Sequence, residues 1–165
     1  MKFFSPQSLI LAIVLSFFSL LTGPAHAASQ MPHFALPSVE DGATIDSNSY
    51  KGKVLLINFW ATWCPPCRKE IPSLIELQKE FGPKGFSVIG ISTDEGGSAL
   101  VAKFTKKMEI NYPVVMGDTK TPMAFGGIIG IPSSFLVNRQ GTVVKRYDGY
   151  VDHETLVTDI KSVMQ

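Results

Sequence analysis

Two cysteines separated by two prolines, Cys64-Pro65-Pro66-Cys67, constrain this chain more than any other feature. An apolar, β-branched run, Val54–Trp60, leads into them, and a helix-forming stretch follows. We therefore place both thiols at a strand-to-helix junction. At the N-terminus of a helix, the unpaired backbone N–H groups and the positive end of the dipole favour a thiolate on the first cysteine. Because a thiolate is the attacking species in thiol–disulfide exchange, the pattern predicts a redox-active pair.

Other uses of the two thiols are less well supported. They are the only 2 cysteines among the 165 residues, so no second redox centre can pair with them. A structural disulfide across so short a loop would remove little entropy from the unfolded chain. A zinc site would need two further ligands, and the histidines, His26, His33 and His153, form no ligand-like pair. We therefore predict no bound metal and no cofactor.

Residues 1–27 have the composition of a secretory signal. A lysine at position 2 precedes an almost wholly apolar run over residues 9–21, and Ala25-His26-Ala27 has the small-x-small form of a cleavage site. The run is shorter than the roughly 20 residues of a typical membrane span, which favours a cleaved signal over an uncleaved anchor. No cysteine lies near the cleavage site for lipid attachment. We predict one mature domain over residues 28–165.

The charge of the mature chain limits its partners. The whole sequence has 15 basic and 14 acidic residues, and residues 1–27 contain one lysine and no acid, which leaves 14 of each. A neutral domain argues against nucleic acid as a partner. Export would place the protein in an oxidising compartment, where a dithiol kept for reduction needs an outside source of electrons.

Strand and helix patterns alternate along the mature chain. This order, completed by a hairpin and a helix, predicts an α/β layer with a mixed sheet. Pro72 falls inside the first long helix and should kink it. Asp94-Glu95-Gly96-Gly97 follows the carboxyl end of a strand, where the sites of α/β proteins form. One alternative is that it shapes the rim of the site, but we interpret it as a plain connecting loop. The predicted strands cover residues 34–36, 44–45, 54–60, 86–92, 112–116, 134–138 and 142–147, and the helices cover 65–81, 98–108, a turn at 121–125, and a last helix capped by Asp152 through Val163.

A second set of residues, Gly130-Ile131-Pro132-Ser133-Ser134-Phe135-Leu136-Val137, places a proline at the start of a strand. Such a proline is tolerated as the first residue of a strand, and about one X–Pro bond in twenty is cis. Together with the cysteine pair, this segment resembles the thioredoxin-like superfamily. Within it, residues 31–163 are similar to the exported TlpA/ResA/DsbE-type thiol–disulfide oxidoreductases, grouped with redoxin and AhpC/TSA-like domains. The matching segments are Asn58 to Cys67, Glu70-Ile71-Pro72, Gly90 to Asp94, Tyr112 to Val115, and Gly130 to Val137 followed by Gly141.

The resemblance implies a thioredoxin-like fold, with a central mixed β-sheet flanked by helices, an N-terminal β-hairpin extension and a central insertion. It implies that Cys64 is the nucleophile and that Cys67 is the resolving thiol of a redox-active disulfide. It also implies a cis bond before Pro132, with the proline facing the disulfide. In that arrangement Ile131 offers its backbone to a substrate strand, and the proline keeps metals off the thiols.

Two further positions have open alternatives. Thioredoxins carry a buried aspartate where this chain has Asn58, so Asn58 cannot accept a proton from Cys67. In the TlpA/ResA branch an acid three residues after the second cysteine is typical, and Glu70 matches it; the alternative is a solvated acid stabilised by the helix dipole. Trp63 is either part of the substrate-binding rim or a packing aromatic, whereas we expect Trp60 in the core.

These features predict an exported, periplasmic dithiol–disulfide oxidoreductase that acts on protein thiols and disulfides, most simply as a monomer. The resemblance implies apocytochrome c or its thiol partners as clients, with a membrane electron donor. One alternative is a thiol peroxidase, since Thr62 and Cys64 loosely resemble a peroxidatic site. Another is a non-catalytic copper-binding module that uses the same thiols.

Overall fold

The computed structural model describes residues 29–165. The predicted signal segment, residues 1–27, and the predicted first residue of the mature chain, Ala28, lie outside the described residues. Within residues 29–165, no helix combines the length and the apolar character that a membrane crossing requires.

A five-stranded mixed sheet forms the centre of the domain. The spatial order of its strands is β5-β4-β3-β6-β7. The first three of these run parallel, and β6 and β7 are antiparallel to their neighbours. Strands β3 and β4 are buried at every position, as their unbroken apolar runs predict. The strands are β3 (Val54–Trp60), β4 (Phe86–Ser92), β5 (Val114–Met116), β6 (Ser133–Val137) and β7 (Val143–Asp148).

A separate two-stranded hairpin precedes the sheet, as predicted. It consists of β1 (Ala35–Pro37) and β2 (Thr44–Asp46), which pair antiparallel. The hairpin is attached to the edge of the sheet, because the backbone N–H of Val39 donates to the carbonyl of Val114 at 3.0 Å. This contact partly covers the free edge of β5, which would otherwise present unpaired backbone groups.

Among residues 29–165, four α-helices flank the sheet: α1 (Pro65–Phe81), α2 (Ser98–Lys107), α3 (Thr121–Ala124) and α4 (His153–Met164). Helix α1 continues through Pro72 without a break. Asp152 caps α4 as predicted, and its carboxylate accepts from the Thr155 N–H at 2.9 Å. The segment between β4 and β6 carries α2, β5 and α3, which matches the expected central insertion.

The core has two parts, one on each face of the sheet. Alternate residues of β3 point to opposite faces: Leu56 and Trp60 pack with α1 and α4, and Ile57 and Phe59 pack with the hairpin and Phe125. Asn58 lies two residues from both Leu56 and Trp60, so its side chain points to the same face of the sheet as theirs. Its polar side chain therefore enters the face that α1 covers.

Candidate active site

Cys64 and Cys67 form a disulfide at the N-terminus of α1. The S–S bond is 2.05 Å, and the two Cα atoms are 5.3 Å apart. Cys64 is the N-cap residue, and its Sγ accepts the backbone N–H of Cys67 at 3.3 Å. Pro65 and Pro66 occupy the first helical positions, where a missing N–H leaves no intrahelical bond unmade. The sulfur of Cys64 is thus placed among the unpaired donors of the helix, as the sequence predicts.

The Ile131–Pro132 segment lies against this disulfide. The peptide bond between the two residues is cis. The Ile131 carbonyl oxygen is 3.6 Å from the Sγ of Cys64, although the residues are 67 positions apart in sequence. In the disulfide this sulfur carries no hydrogen, so the approach is a packing contact; after reduction, the thiol has an acceptor within reach. The carbonyl of Pro132 accepts from the Gly149 N–H at 2.8 Å, which ties this segment to the end of β7.

Glu70, one helical turn after Cys67, is buried, with 1% of its surface exposed. Its Oε2 accepts from the Asn58 Nδ2 at 3.1 Å, and its Oε1 accepts from the Val151 backbone N–H at 3.2 Å. Burial raises the pKa of Glu70 to about 7, and the two hydrogen bonds oppose that rise only in part. The alternative of a solvated first-turn acid is therefore wrong. At neutral pH this carboxyl group can both accept and release a proton.

Asn58 holds Glu70 in place. The same Nδ2 group donates to the Ser134 hydroxyl at 2.9 Å, on the neighbouring strand β6. Asn58 has no carboxylate, as the sequence shows, but its amide is a hydrogen-bond donor to the acid on α1. The polar cluster of Asn58, Glu70 and Ser134 is thus satisfied although it is buried.

Asp94-Glu95-Gly96-Gly97 forms a connecting loop, as predicted, but its first residue also makes contacts that link it to the site. Asp94 is buried, and its carboxylate accepts from both the backbone N–H and the hydroxyl of Thr62 and from the hydroxyl of Ser92. These bonds tie the end of β4 to the loop that presents Cys64. The sequence contains one signal for this contact between Thr62 and Asp94. The two residues follow β3 and β4, which are both predicted as buried strands, and the carboxyl ends of parallel strands meet at one edge of a sheet.

The two tryptophans near the cysteines have different surroundings. Trp63 is 67% exposed, so it is not a packing aromatic, and it directly precedes Cys64, which is buried. Trp60 is buried, as expected, and its ring lies 5.6 Å from that of Phe104. The indole Nε1 of Trp60 has no hydrogen-bond partner among the described residues and faces Gly90.

The remaining histidines are not part of this site. His33 contacts Asp46 at 2.9 Å, and His153 contacts the Ser73 hydroxyl at 2.9 Å. Within residues 29–165, no cluster of three His, Cys, Asp or Glu side chains could hold a metal ion.

The family model described as Redoxin matches residues 26–164 of the chain. The chain belongs to the redoxin family. Among curated relatives, this redoxin is 33% identical over 134 residues to the thiol-disulfide oxidoreductase ResA of Bacillus thuringiensis subsp. konkukian, a match covering 81% of this chain and 76% of the relative. It is 31% identical over 137 residues to ResA of Bacillus subtilis, covering 83% of this chain and 75% of the relative.

Solved structures agree with these matches. A thiol:disulfide interchange protein of the thioredoxin family from Chlorobium tepidum TLS is 36% identical, with a TM-score of 0.77 over 84% of this redoxin and 97% of that chain. A putative DsbE from Chlorobium tepidum has the same TM-score, 0.77, and the same coverage, 84% and 97%, at 30% identity. The protein is therefore a thiol–disulfide oxidoreductase of the TlpA/ResA/DsbE type, with a thioredoxin-like fold.

Proposed function

We propose that this redoxin reduces disulfides in polypeptides outside the cytoplasm. The observation that carries the proposal is a buried, titratable carboxyl group one helical turn after Cys67, beside a cysteine pair at a helix N-terminus. In the reduced protein, the Cys64 thiolate attacks a client disulfide. A bond forms between Cys64 and one client sulfur, and the other client sulfur leaves as a thiolate.

Glu70 acts in the second step. Cys67 gives up its proton, with Glu70 as the acceptor, and the resulting thiolate attacks the Sγ of Cys64. The bond between Cys64 and the client breaks, the client leaves with both sulfurs reduced, and the Cys64–Cys67 disulfide forms. Two electrons pass from the redoxin to the client, so a membrane-bound dithiol donor must then reduce the redoxin again. A pKa of about 7 lets Glu70 accept a proton in one half-cycle and return it in the other.

Three residues form the proposed substrate-binding site. Ile131 and Pro132 line the disulfide through the 3.6 Å approach of the Ile131 carbonyl to Cys64, and Trp63 is exposed beside it. An extended client segment would pair with the backbone of Ile131 by strand addition. The resemblance to TlpA/ResA/DsbE proteins supports apocytochrome c, or its thiol partner proteins, as the client class, and the apolar segment over residues 9–21 supports export to the periplasm.

The test is a stopped-flow measurement of client disulfide reduction between pH 6 and 9, with a disulfide peptide as the substrate. We expect the wild-type rate of the resolving step to rise with pH through about 7 and Glu70→Gln to lower it on the order of 100-fold. Glu76→Gln is the matched control, because Glu76 is an exposed acid on the same helix. Equal rates in Glu70→Gln and in the wild type would remove Glu70 from the mechanism.

The reduction potential of the Cys64–Cys67 pair tests the direction of electron transfer. A potential of about −270 mV, the value for thioredoxin, supports a reductant, and one of about −120 mV supports an oxidant.

A further inference from the structure

A cavity with a volume of about 410 Å³ lies at the end of the sheet opposite the disulfide. Leu55, near the start of β3, lines it, so most of that strand, about 20 Å, separates the cavity from the loop that carries Cys64. Its walls include the turn that leads into β3 and the turn between β6 and β7. Among residues 29–165, the cations Lys51, Lys53 and Arg139 line the cavity, and no aspartate or glutamate does. The lining is therefore positive, although the whole chain is close to neutral, with 15 basic and 14 acidic residues.

The pairing of β3 with β6 brings two of these cations together. Leu55 is the partner of Val137 in this antiparallel pair. Extending the register by two residues places Lys53 opposite Arg139. The Arg139 side chain also reaches the start of β4, because its Nη2 lies 3.9 Å from the position that a Cβ atom on Gly85 would take. Since β3 lies between β6 and β4, the Arg139 guanidinium crosses the start of β3, beside Lys53.

No acid in the described part of the chain neutralises these charges. Within residues 29–165, Lys51, Lys53 and Arg139 make no ion pair. The acid beside the cavity, Asp46, contacts the cavity-lining His33 at 2.9 Å instead. Like charges directly opposite each other on neighbouring strands are destabilising. A bound anion would remove this repulsion, which marks the cavity as an anion site.

The two turns that carry the cations are fixed by their own hydrogen bonds. The backbone N–H of Lys53 donates to the Tyr50 carbonyl at 3.1 Å, and the Asn138 side chain accepts from the Gln140 N–H at 3.1 Å. The Lys53 ammonium lies 5.4 Å from the centroid of the Tyr50 ring, which also lines the cavity. Burial raises the pKa of Tyr50, so its phenol keeps its proton at neutral pH and stays a hydrogen-bond donor.

We propose that this cavity binds the phosphoryl groups of a multiply charged anion, with Arg139 and Lys53 as the binding residues. A guanidinium donates to two phosphate oxygens at once, and an ammonium adds a point charge. The anion is a free phosphate compound or the headgroups of anionic phospholipids, which share this chemistry. The Val143 N–H donates to the Ser29 carbonyl at 2.8 Å, so the chain enters the domain at this same end. The site is remote from the disulfide, and the inference does not rest on the proposed function.

The test is a calorimetric titration of the oxidised protein with inorganic pyrophosphate at pH 7 and low ionic strength. We expect one site with a dissociation constant below about 1 mM. Arg139→Gln should weaken binding by about tenfold or more, because a charge-assisted hydrogen bond is lost. Arg139→Lys should weaken it less, since the charge remains. Lys161→Gln is the matched control and should bind as the wild type, because Lys161 is an exposed cation on α4, outside the cavity.

Vesicles distinguish the two sources of the phosphoryl group. Sedimentation compares vesicles of phosphatidylglycerol and phosphatidylcholine with vesicles of phosphatidylcholine alone. Binding to the anionic vesicles that pyrophosphate displaces and that Arg139→Gln loses would assign the site to lipid headgroups. Binding of pyrophosphate without such vesicle binding would assign it to a free phosphate compound. Absence of both, or equal losses in Arg139→Gln and Lys161→Gln, would overturn the site.

A second measurement needs no ligand. Arg139→Gln removes the repulsion between Arg139 and Lys53, so its midpoint of urea unfolding at low salt should lie above that of the wild type. The difference should shrink at high salt, because exposed charges are then screened. Lys161→Gln should unfold at the wild-type midpoint. A midpoint of Arg139→Gln at or below the wild-type value would overturn the argument from uncompensated charge.

Discussion

The side-chain amide of Asn58 donates to the carboxylate of Glu70 at 3.1 Å, from the middle of a buried strand to the first helix. This bond and the one from the Val151 N–H are the hydrogen bonds that Glu70 accepts, and no cation pairs with the carboxylate among the described residues. An acid in such surroundings is costly to ionise, which explains why its pKa rises to about 7.

Burial of Glu70 should make stability depend on pH. The folded-state pKa of about 7 lies above the ordinary value of 4.5, so the folded protein binds more protons than the unfolded chain between those values. The free energy of unfolding should therefore fall as pH rises from 4.5 to 7, by up to about 3 kcal/mol from this group. Glu70→Gln should lose this slope, and Glu76→Gln should keep it. Urea unfolding of the oxidised protein at pH 5, 6, 7 and 8 measures it, and parallel curves for the wild type and Glu70→Gln would contradict the assignment.

The order of attack predicts a difference between the two single-cysteine variants. Cys67→Ser should accumulate a mixed disulfide between Cys64 and a client, because attack occurs and resolution cannot. Cys64→Ser should accumulate little, because the remaining thiol, Cys67, lies inside the helix and lacks the N-cap position that favours a thiolate on Cys64. Non-reducing electrophoresis after acid quenching measures the amount of mixed disulfide that each variant forms. Equal trapping by the two variants would show that either thiol can attack.

Asp94 should position the loop that presents Cys64. Asp94→Asn replaces a buried acceptor of hydrogen bonds from Thr62 and Ser92 with a group that also donates, so at least one bond is lost. We expect a loss of about 1–3 kcal/mol in stability and slower alkylation of Cys64 in the reduced protein at pH 7. Glu95→Gln, which removes an exposed neighbouring charge, is the control. The same alkylation rate in both variants would leave Asp94 with a purely structural role.

Gly90 provides the space that the ring of Trp60 occupies. A Cβ atom at position 90 would lie 2.9 Å from the Trp60 Nε1 and 3.4 Å from the Tyr112 ring. Because both rings are buried, Gly90→Ala should destabilise the protein by about 1–3 kcal/mol. Gly130→Ala should cost less, since nothing lies within 4 Å of its added Cβ. The midpoints of urea unfolding compare the two, and a Gly90→Ala midpoint at or above that of Gly130→Ala would be inconsistent with this packing.

Local sequence patterns predicted most of the strands and helices. The apolar runs of β3 and β4 and the cap at Asp152 appear in the structure where the sequence placed them. The ends of β5 and β6 differ by one or two residues, because pairing of β5 with β4 begins only at Val114 and pairing of β6 begins at Ser133. Helical spacing could also have shown the burial of Glu70, since it lies on the same face as Cys67, Ile71 and Leu74.

The sequence by itself determined the position of the cysteine pair at a helix N-terminus, because both the preceding strand and the following helix are encoded within a few residues of it. Only the tertiary structure decided the surroundings of that pair. The Ile131 carbonyl reaches Cys64 across 67 positions, and the Val151 N–H reaches Glu70 across 81. The exposure of Ile129 is of the same kind, since its neighbours in sequence are apolar or glycine. Burial, a shifted pKa and an exposed apolar side chain depend on which distant segments pack together, and no local pattern specifies that.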